Sequence, residues 1–352
     1  MKKSEICLFF SFLILFYGLA FSTNLELTLP QIEYISYAQM EKLNTVRYAQ
    51  CQLKYELFPN KKTGLSMVKD PEKLENKIRM CLQIGLEKKV NVFIFPELSL
   101  SLPEKMRENL LNDLFTFSKN NDLIIIGGSF YDDFRKNKVP IIIPSGIFYS
   151  YKIRQSKFEV SPLKGEGMEA GEKLLVLHTK YGNILVITCV DLISDDIQYI
   201  ARYLSNRKLI NILITISYNP VSMEFMREVS AIVKRHELFG LITNISNPNA
   251  LSNDNSNCKD DNKYGNSSVF ATINDEYKKN LIPLISDCFK DCNLETINSS
   301  YSTLIAQLNS NDEAMLICDL NLNVIRPPLV TNAPDQGYPP IKNIEKIFIQ
   351  EK

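Results

Sequence analysis

The sequence predicts an α/β protein built in layers, and three observations predict it. Short runs of β-formers, such as Val92-Phe93-Ile94, Ile124-Ile125-Ile126 and Ile210–Ile216, are almost continuously apolar, as strands buried on both faces are. Stretches of helical period separate them, as in Leu74, Ile78, Cys81-Leu82, and this alternation of strand and helix marks a layered sheet protein. Several runs end abruptly in chemically capable residues, Pro96-Glu97 and Cys189-Val190-Asp191 among them. Functional groups collect at the carboxyl ends of strands in such folds.

Residues 1–23 open with Lys2 and Lys3, continue through the apolar run Ile6–Phe16 and reach the small residues around Ala20-Phe21-Ser22. The pattern is that of a signal peptide or an N-terminal membrane anchor. The run is short for a full span, so cleavage is favoured. The chain is then expected to be secreted, periplasmic or attached to the cell envelope, with any membrane association made through this segment. A cytoplasmic location is the alternative, with the segment serving as a buried strand or helix.

Residues 24–41 read as a connecting segment, and one domain is expected over 42–325. Val46–Leu53 is the first core strand. Pro71 opens a helix, where a missing N–H costs nothing. Val90–Glu97 is the next strand, Leu102–Asn120 a helix and Leu123–Ile126 a strand. Ile141–Ile143 and Ile147–Tyr151 flank a Pro144-Ser145-Gly146 turn and make a hairpin. Leu174–Leu177 and Ile184–Ile187 flank Tyr181-Gly182-Asn183 and make another, which delivers Cys189. A helix at 197–204, a strand at 210–216, a long helix at 223–239 and strands at 241–244, 267–273 and 314–320 complete the domain. Residues 247–268 are an Asn-rich insertion, and 326–352 are a C-terminal tail.

Composition narrows the function. The chain has 352 residues, with 40 basic and 40 acidic side chains. That balance, with no dense basic stripe, argues against a nucleic-acid partner. The eight cysteines are scattered, and Cys288 and Cys292, the close pair, lack further ligands at zinc spacing. With two histidines, His178 and His236, a multi-histidine metal centre is excluded, and a serine or cysteine triad would have to use one of them. His178 reads as a hairpin-edge residue and His236 as part of a solvated helix face.

Glu97, Lys157 and Cys189, each following or ending a strand segment, then stand out together. A thiol nucleophile needs a base for its proton and a positive or hydrogen-bonding group for the oxyanion. Glu97 fits the base. Lys157 fits the cation, which would also favour thiolate. The Val190 N–H is a second oxyanion donor, and Glu166 would orient the lysine. The competing reading is a buried structural cysteine with two solvated charges.

Those residues resemble the three signatures of the nitrilase, or carbon–nitrogen hydrolase, superfamily. Phe95-Pro96-Glu97 matches the family's F-P-E, and Cys189-Val190-Asp191 matches its C-x-D. Lys157-x-x-Val160-Ser161-Pro162, followed by Glu166, resembles the K-x-x-L-V-P-x-G-E run of its N-acyltransferase branch. The resemblance implies a four-layer α-β-β-α sandwich over about residues 45–325 and a Glu97–Lys157–Cys189 triad. It implies hydrolysis of a non-peptide C–N bond, most simply an amide, through a thioester and without metal or organic cofactor. Nitrile hydrolysis, acyl transfer by the same triad, or a binding protein that kept the fold are the alternatives. The expected partner is a small amide or nitrile, and a homo-oligomer is compatible with the family.

Two departures mark the chain. The commoner family form sets the lysine in Y-R-K-x-H-L, which Tyr151-Lys152 matches in part. Lys157 is preferred because the proline and glutamate follow it at suitable distances. After Leu192, the usual Arg-Phe-Pro-Glu is replaced by Ile193-Ser194-Asp195-Asp196. Asp191 and Ser194 are therefore expected to border a substrate pocket unlike that of its relatives.

Overall fold

The computed structural model describes residues 29–37, 42–60, 63–157, 159, 167–220, 222–248, 264–272, 303–323 and 341–349. The leader reading of 1–23 and most of the 247–268 insertion lie outside these residues. The fold described is that of the compact unit from Gln31 to Lys352.

In chain order it begins with β1 (Gln31–Ser36), β2 (Thr45–Gln52) and the small hairpin β3 (Leu57–Pro59) and β4 (Ser66–Val68). Helix α1 (Pro71–Glu87) leads to β5 (Val92–Ile94), and α2 (Glu104–Asn121) to β6 (Ile124–Ile126). Then come β7 (Phe130–Tyr131), β8 (Asn137–Ile143), β9 (Gly146–Tyr151), β10 (Lys173–Thr179) and β11 (Gly182–Thr188). A 3-10 turn at Cys189–Ile193 joins β11 to α3 (Asp195–Asn206), and β12 (Ile212–Ile216) follows. The chain continues through α4 (Ser222–His236), β13 (Phe239–Thr243), β14 (Ser268–Phe270), β15 (Leu304–Gln307), β16 (Ala314–Asn321) and β17 (Ile341–Phe348).

Two sheets result. One runs β1-β10-β11-β12-β13-β14-β15, and the other β17-β16-β2-β5-β6-β8-β7 with β9 paired to β8. Side chains alternate between the faces of a strand, so each strand feeds two cores. Val46, Tyr48, Val92 and Ile94 meet Leu175, Val186, Ile214 and Leu241 between the sheets. Ala49, Cys51 and Phe93, one position out of phase, pack under Leu74 and Ile78 of α1 and Leu110 of α2. Leu185, Ile187 and Leu213 pack under Ile197 of α3 and Val229 of α4. Three cores separated by two sheets are a four-layer α-β-β-α sandwich, as the sequence predicts. Between the sheets, Gln50 Nε2 donates to the carbonyls of Ile242 (2.6 Å) and Ser268 (3.1 Å).

The domain limits differ from those expected. β1 lies in the segment read as a connector and pairs in parallel with β10, Gln31 opposite Lys173. β17 lies in the segment read as a tail and pairs antiparallel with β16. Both are edge strands and half-exposed. An edge strand buries too little for the alternating apolar pattern that announces a strand in sequence. Ile341, Ile344 and Ile347 even recur at a spacing closer to that of a helix.

Candidate active site

Glu97 follows β5 at the end of its buried run and is 1% exposed. Its neighbour Leu98 has φ 62°, a left-handed conformation that turns the chain sharply away from the strand. The Leu98 N–H donates to Ser129 Oγ (2.9 Å). Gly128, at φ 81°, leaves room for this turn, because a Cβ there would stand 2.6 Å from the Pro96 carbonyl and 2.0 Å from Ser99 Oγ. The Tyr55 hydroxyl donates to the Glu97 carbonyl. The Glu97 carboxylate accepts from Asn137 Nδ2 and Lys152 Nζ on Oε1 (2.9 Å each) and from the Tyr218 N–H on Oε2 (2.9 Å).

The lysine that the structure brings to Glu97 is Lys152 and not Lys157. Lys152 is the first residue beyond β9, and its N–H still donates to the Asn137 carbonyl (2.9 Å). Its side chain is 2% exposed and donates to Glu97 Oε1 and to Glu159 Oε2 (2.7 Å). Lys157 lies exposed on the loop five residues later. The strand-end rule that singles out Glu97 and Cys189 also singles out Lys152, because rigid backbone is what holds a buried ammonium in place. The glutamate that orients the lysine is correspondingly Glu159, which also accepts from the Tyr131 hydroxyl (2.8 Å) and the Ser156 N–H (2.9 Å). Glu166, the glutamate chosen from sequence, lies outside the described residues.

Cys189 follows β11 from the other sheet and is 6% exposed. It has φ 50°, a left-handed conformation costing a non-glycine residue about 1–2 kcal/mol. This kink between strand and 3-10 turn swings the thiol off the strand direction, as strand-to-helix turns bearing a nucleophile do. The thiol is near enough to Glu97 and Lys152 for both charges to act on it. Val190, second in the turn, is half-buried, and an N–H at the start of a helical turn has no partner inside it.

Asp191 and Ser194 do not behave as pocket residues. Asp191 is fully buried, and its carboxylate accepts from the N–H groups of Ile153 (2.9 Å) and Arg154 (2.7 Å). The Ser194 hydroxyl donates to the Val190 carbonyl (3.1 Å). Both side chains are spent on backbone close by, which residue type alone does not reveal. Asn137, Tyr131, Tyr55 and Tyr218 are the site residues that sequence reasoning missed. Asn137 carries a weak signal, as a polar residue opening an otherwise apolar strand.

The electrostatics follow from burial. Glu97 is raised above the ordinary carboxylate range, chiefly by burial and further by Glu159, against the pull of Lys152. Burial and then Glu97 push the Cys189 thiol well up, Lys152 opposing, so the resting sulfur is protonated. Burial works against the Lys152 charge, but Cys189, Glu97 and Glu159 outweigh it and hold the ammonium charged. Glu159, though buried, is held below its usual range by Lys152 and its hydrogen bonds. The arrangement is a neutral thiol beside a carboxylate of raised affinity for protons, with a fixed cation bridging two carboxylates. It can move a proton from sulfur to Glu97 and offer positive charge to an oxygen.

By sequence, no family model and no curated protein matches the chain. By structure, it is similar to Nit3 of Saccharomyces cerevisiae, a member of branch 10 of the nitrilase superfamily. The two share 14% identity at a TM-score of 0.54, over 81% of this chain and 93% of that one. It is similar to an amidase from Nesterenkonia sp., with 10% identity and a TM-score of 0.53 over 81% and 94% of the two chains. A variant of that amidase carries the acetamide moiety of fluoroacetamide on its active-site cysteine. XC1258 of Xanthomonas campestris, a CN-hydrolase superfamily protein with an arsenic adduct in its active site, shares 12% identity at a TM-score of 0.53 over 80% and 92%. The chain has the nitrilase-superfamily fold.

Proposed function

We propose that the chain is a carbon–nitrogen hydrolase of the nitrilase superfamily that cleaves a small non-peptide amide, with Cys189 as nucleophile. The observation that carries this reading is the convergence of three buried groups. Lys152 Nζ holds the Glu97 carboxylate at 2.9 Å. The turn that carries Cys189 is bonded through Asp191 to the two peptide groups after Lys152, so that the thiol and the ammonium act on each other. A buried structural cysteine has no use for a buried carboxylate and ammonium, each of which is costly to desolvate.

In the first half-reaction Glu97 takes the thiol proton as the sulfur attacks the amide carbon. The carbonyl oxygen becomes an oxyanion held by the Lys152 ammonium and the Val190 N–H. Glu97 then gives the proton to the leaving nitrogen, the C–N bond breaks and a thioester remains on Cys189. In the second half, Glu97 deprotonates a water that attacks the thioester, and the acid leaves with the thiol restored. Lys152 stays protonated throughout, because the two carboxylates on either side stabilise its charge. Rate comes from proximity and from charge placed where the oxyanion forms. A nitrile would follow the same path through a thioimidate.

The test pairs wild type with Cys189→Ala. Wild type is expected to release ammonia or amine from at least one member of a panel of short amides. It is also expected to gain one acetamide on Cys189 from fluoroacetamide or iodoacetamide, read by peptide mass. Cys189→Ala should do neither. Absence of both in folded wild type overturns the reading.

A further inference from the structure

Resting on that reading of Cys189 and Lys152, we propose that Asp191 is a positioning residue, a clasp that fixes the loop carrying the ammonium to the turn carrying the nucleophile. The two reactive groups arrive from different sheets. Lys152 follows β9 of one sheet and Cys189 follows β11 of the other, so neither strand ladder sets the distance between them. Asp191 spans that gap. It sits two residues after the thiol, inside the same 3-10 turn. Its Oδ2 accepts from the Ile153 N–H at 2.9 Å and its Oδ1 from the Arg154 N–H at 2.7 Å. Those are the two peptide groups immediately after Lys152. The Arg154 guanidinium reaches past them to Asp196 in the first turn of α3, so the same three-residue loop is tied twice to the segment that follows the nucleophile.

A wholly structural role would be served more cheaply by an apolar residue. Asp191 is fully buried, and a buried carboxylate is costly unless its hydrogen bonds return the loss. Both of its oxygens are used on one short loop. The other backbone ties of that loop are the Lys152 N–H to the Asn137 carbonyl and the Gly171 N–H to the Lys152 carbonyl (2.9 Å each), neither of which reaches the turn that carries Cys189. The loop then folds back through Ser156 to Glu159, whose carboxylate grips the same ammonium. Cutting the clasp therefore removes the bonds that tie the loop bearing Lys152 and Glu159 to the thiol turn, while the bonds of Lys152 to Asn137 and Gly171 remain. The charged groups acting on Asp191 are Lys152, the first residue after β9, and Glu97 after β5. Burial is the larger influence on it, with its two peptide donors and Lys152 pulling the other way. Displacements of about 1 Å at such a site cost on the order of 10²-fold in rate.

The experiment compares wild type, Asp191→Asn, Asp191→Glu and Arg154→Ala as full-length protein. One arm reads backbone amide exchange at residues 153–154. The other reads the iodoacetamide labelling rate of Cys189 per titratable site against pH, with kcat and KM on the best panel amide. In Asp191→Asn one oxygen acceptor becomes a donor facing an N–H, so exchange at 153–154 should rise at least ~10-fold. Labelling rate per site and kcat should fall ~10–100-fold with KM changed by less than ~3-fold. Arg154→Ala keeps both N–H donors and loses only the outer tie to Asp196, so exchange and kcat should move in the same direction as in Asp191→Asn and by less. Should Asp191→Asn fail to fold, Asp191→Glu, with its carboxylate displaced by one methylene, is expected to show the same pattern more weakly.

Unchanged exchange at 153–154 in these variants overturns the proposal. So does a loss confined to the fraction of titratable sites, with the rate per site unaltered, which is the mark of a merely structural residue. If wild type itself neither labels nor turns over an amide, it is the hydrolase reading that fails, and the exchange arm still decides whether Asp191 holds the loop.

Discussion

Asn137 and Lys152 are joined twice. The Lys152 N–H donates to the Asn137 carbonyl at 2.9 Å, and the side chains of both donate to the same oxygen, Glu97 Oε1, at 2.9 Å. A strand pair thus becomes a fork that holds the base. Because β8 and β9 set the fork's two tines in register, Glu97 keeps its orientation whether or not its proton has moved.

The first prediction separates the two lysines. Lys152→Met leaves Glu97 and Glu159 buried without their cation, which should cost ~3–5 kcal/mol of stability. It should also lower kcat/KM by at least ~10²-fold through loss of oxyanion charge. Lys157→Ala should leave kcat/KM within ~3-fold, since an exposed charge contributes little. Amide hydrolysis by both variants, with thermal unfolding alongside, checks it. Equal losses would return Lys157 to the site.

The second concerns pH, where stability and activity should run in opposite directions. Burial pushes the Asp191 carboxyl from 3.8 up to about 7, and it raises Glu97 above its usual 4.5. A folded-state value above the unfolded one gives stability that is fully present below the unfolded value and lost as pH rises through the folded one. Asp191 therefore makes the unfolding temperature fall between about pH 4 and pH 7. Glu159, held low by Lys152, acts the other way, but its contribution is lost only as pH drops below the usual carboxylate range. Activity needs Glu97 ionised to take the thiol proton, so turnover should rise as the pH climbs through the raised value of Glu97. Calorimetry and initial rates from pH 5 to 8 decide it. A melting temperature that rises toward pH 7 in wild type, or an identical slope in Asp191→Asn, would contradict it.

The third concerns the turn that aims Glu97. Gly128→Ala must adopt φ 81° and bring its Cβ to within 2.6 Å of the Pro96 carbonyl. The expected cost is at least ~1 kcal/mol of stability. The 96–99 turn should shift, so kcat should fall more than KM rises. Gly127→Ala, which meets Pro140 Cγ at 3.0 Å, should be milder on kcat because it does not touch that turn. Steady-state kinetics of the two variants read the difference.

Much of the architecture was legible because burial on both faces forces apolar runs. Ile124–Ile126, Ile212–Ile216 and Gly182–Thr188 are buried along their whole length, and their sequences state it. The ends of two such runs, Val92–Ile94 and Gly182–Thr188, point to Glu97 and Cys189 for the same reason. β1 and β17 escaped notice because an edge strand half open to water needs no alternating pattern. Motif spacing favours Lys157, whereas it is Lys152 that shares a ladder bond with Asn137 and so reaches Glu97.

What the sequence by itself determined is local. Hydrophobic period set strand and helix, and abrupt strand ends placed a carboxylate and a thiol. What only the tertiary structure decided is which groups meet. Glu97, Lys152 and Glu159 come from one sheet and its loops, and Cys189 from the other, so their union depends on how two sheets stack. Asp191 shows the difference best. From sequence its carboxylate reads as a pocket wall, yet in the fold it accepts two peptide N–H groups from a loop 37 and 38 residues away. A hydrogen bond across such a separation is set by packing, and no pattern of neighbouring residues encodes it.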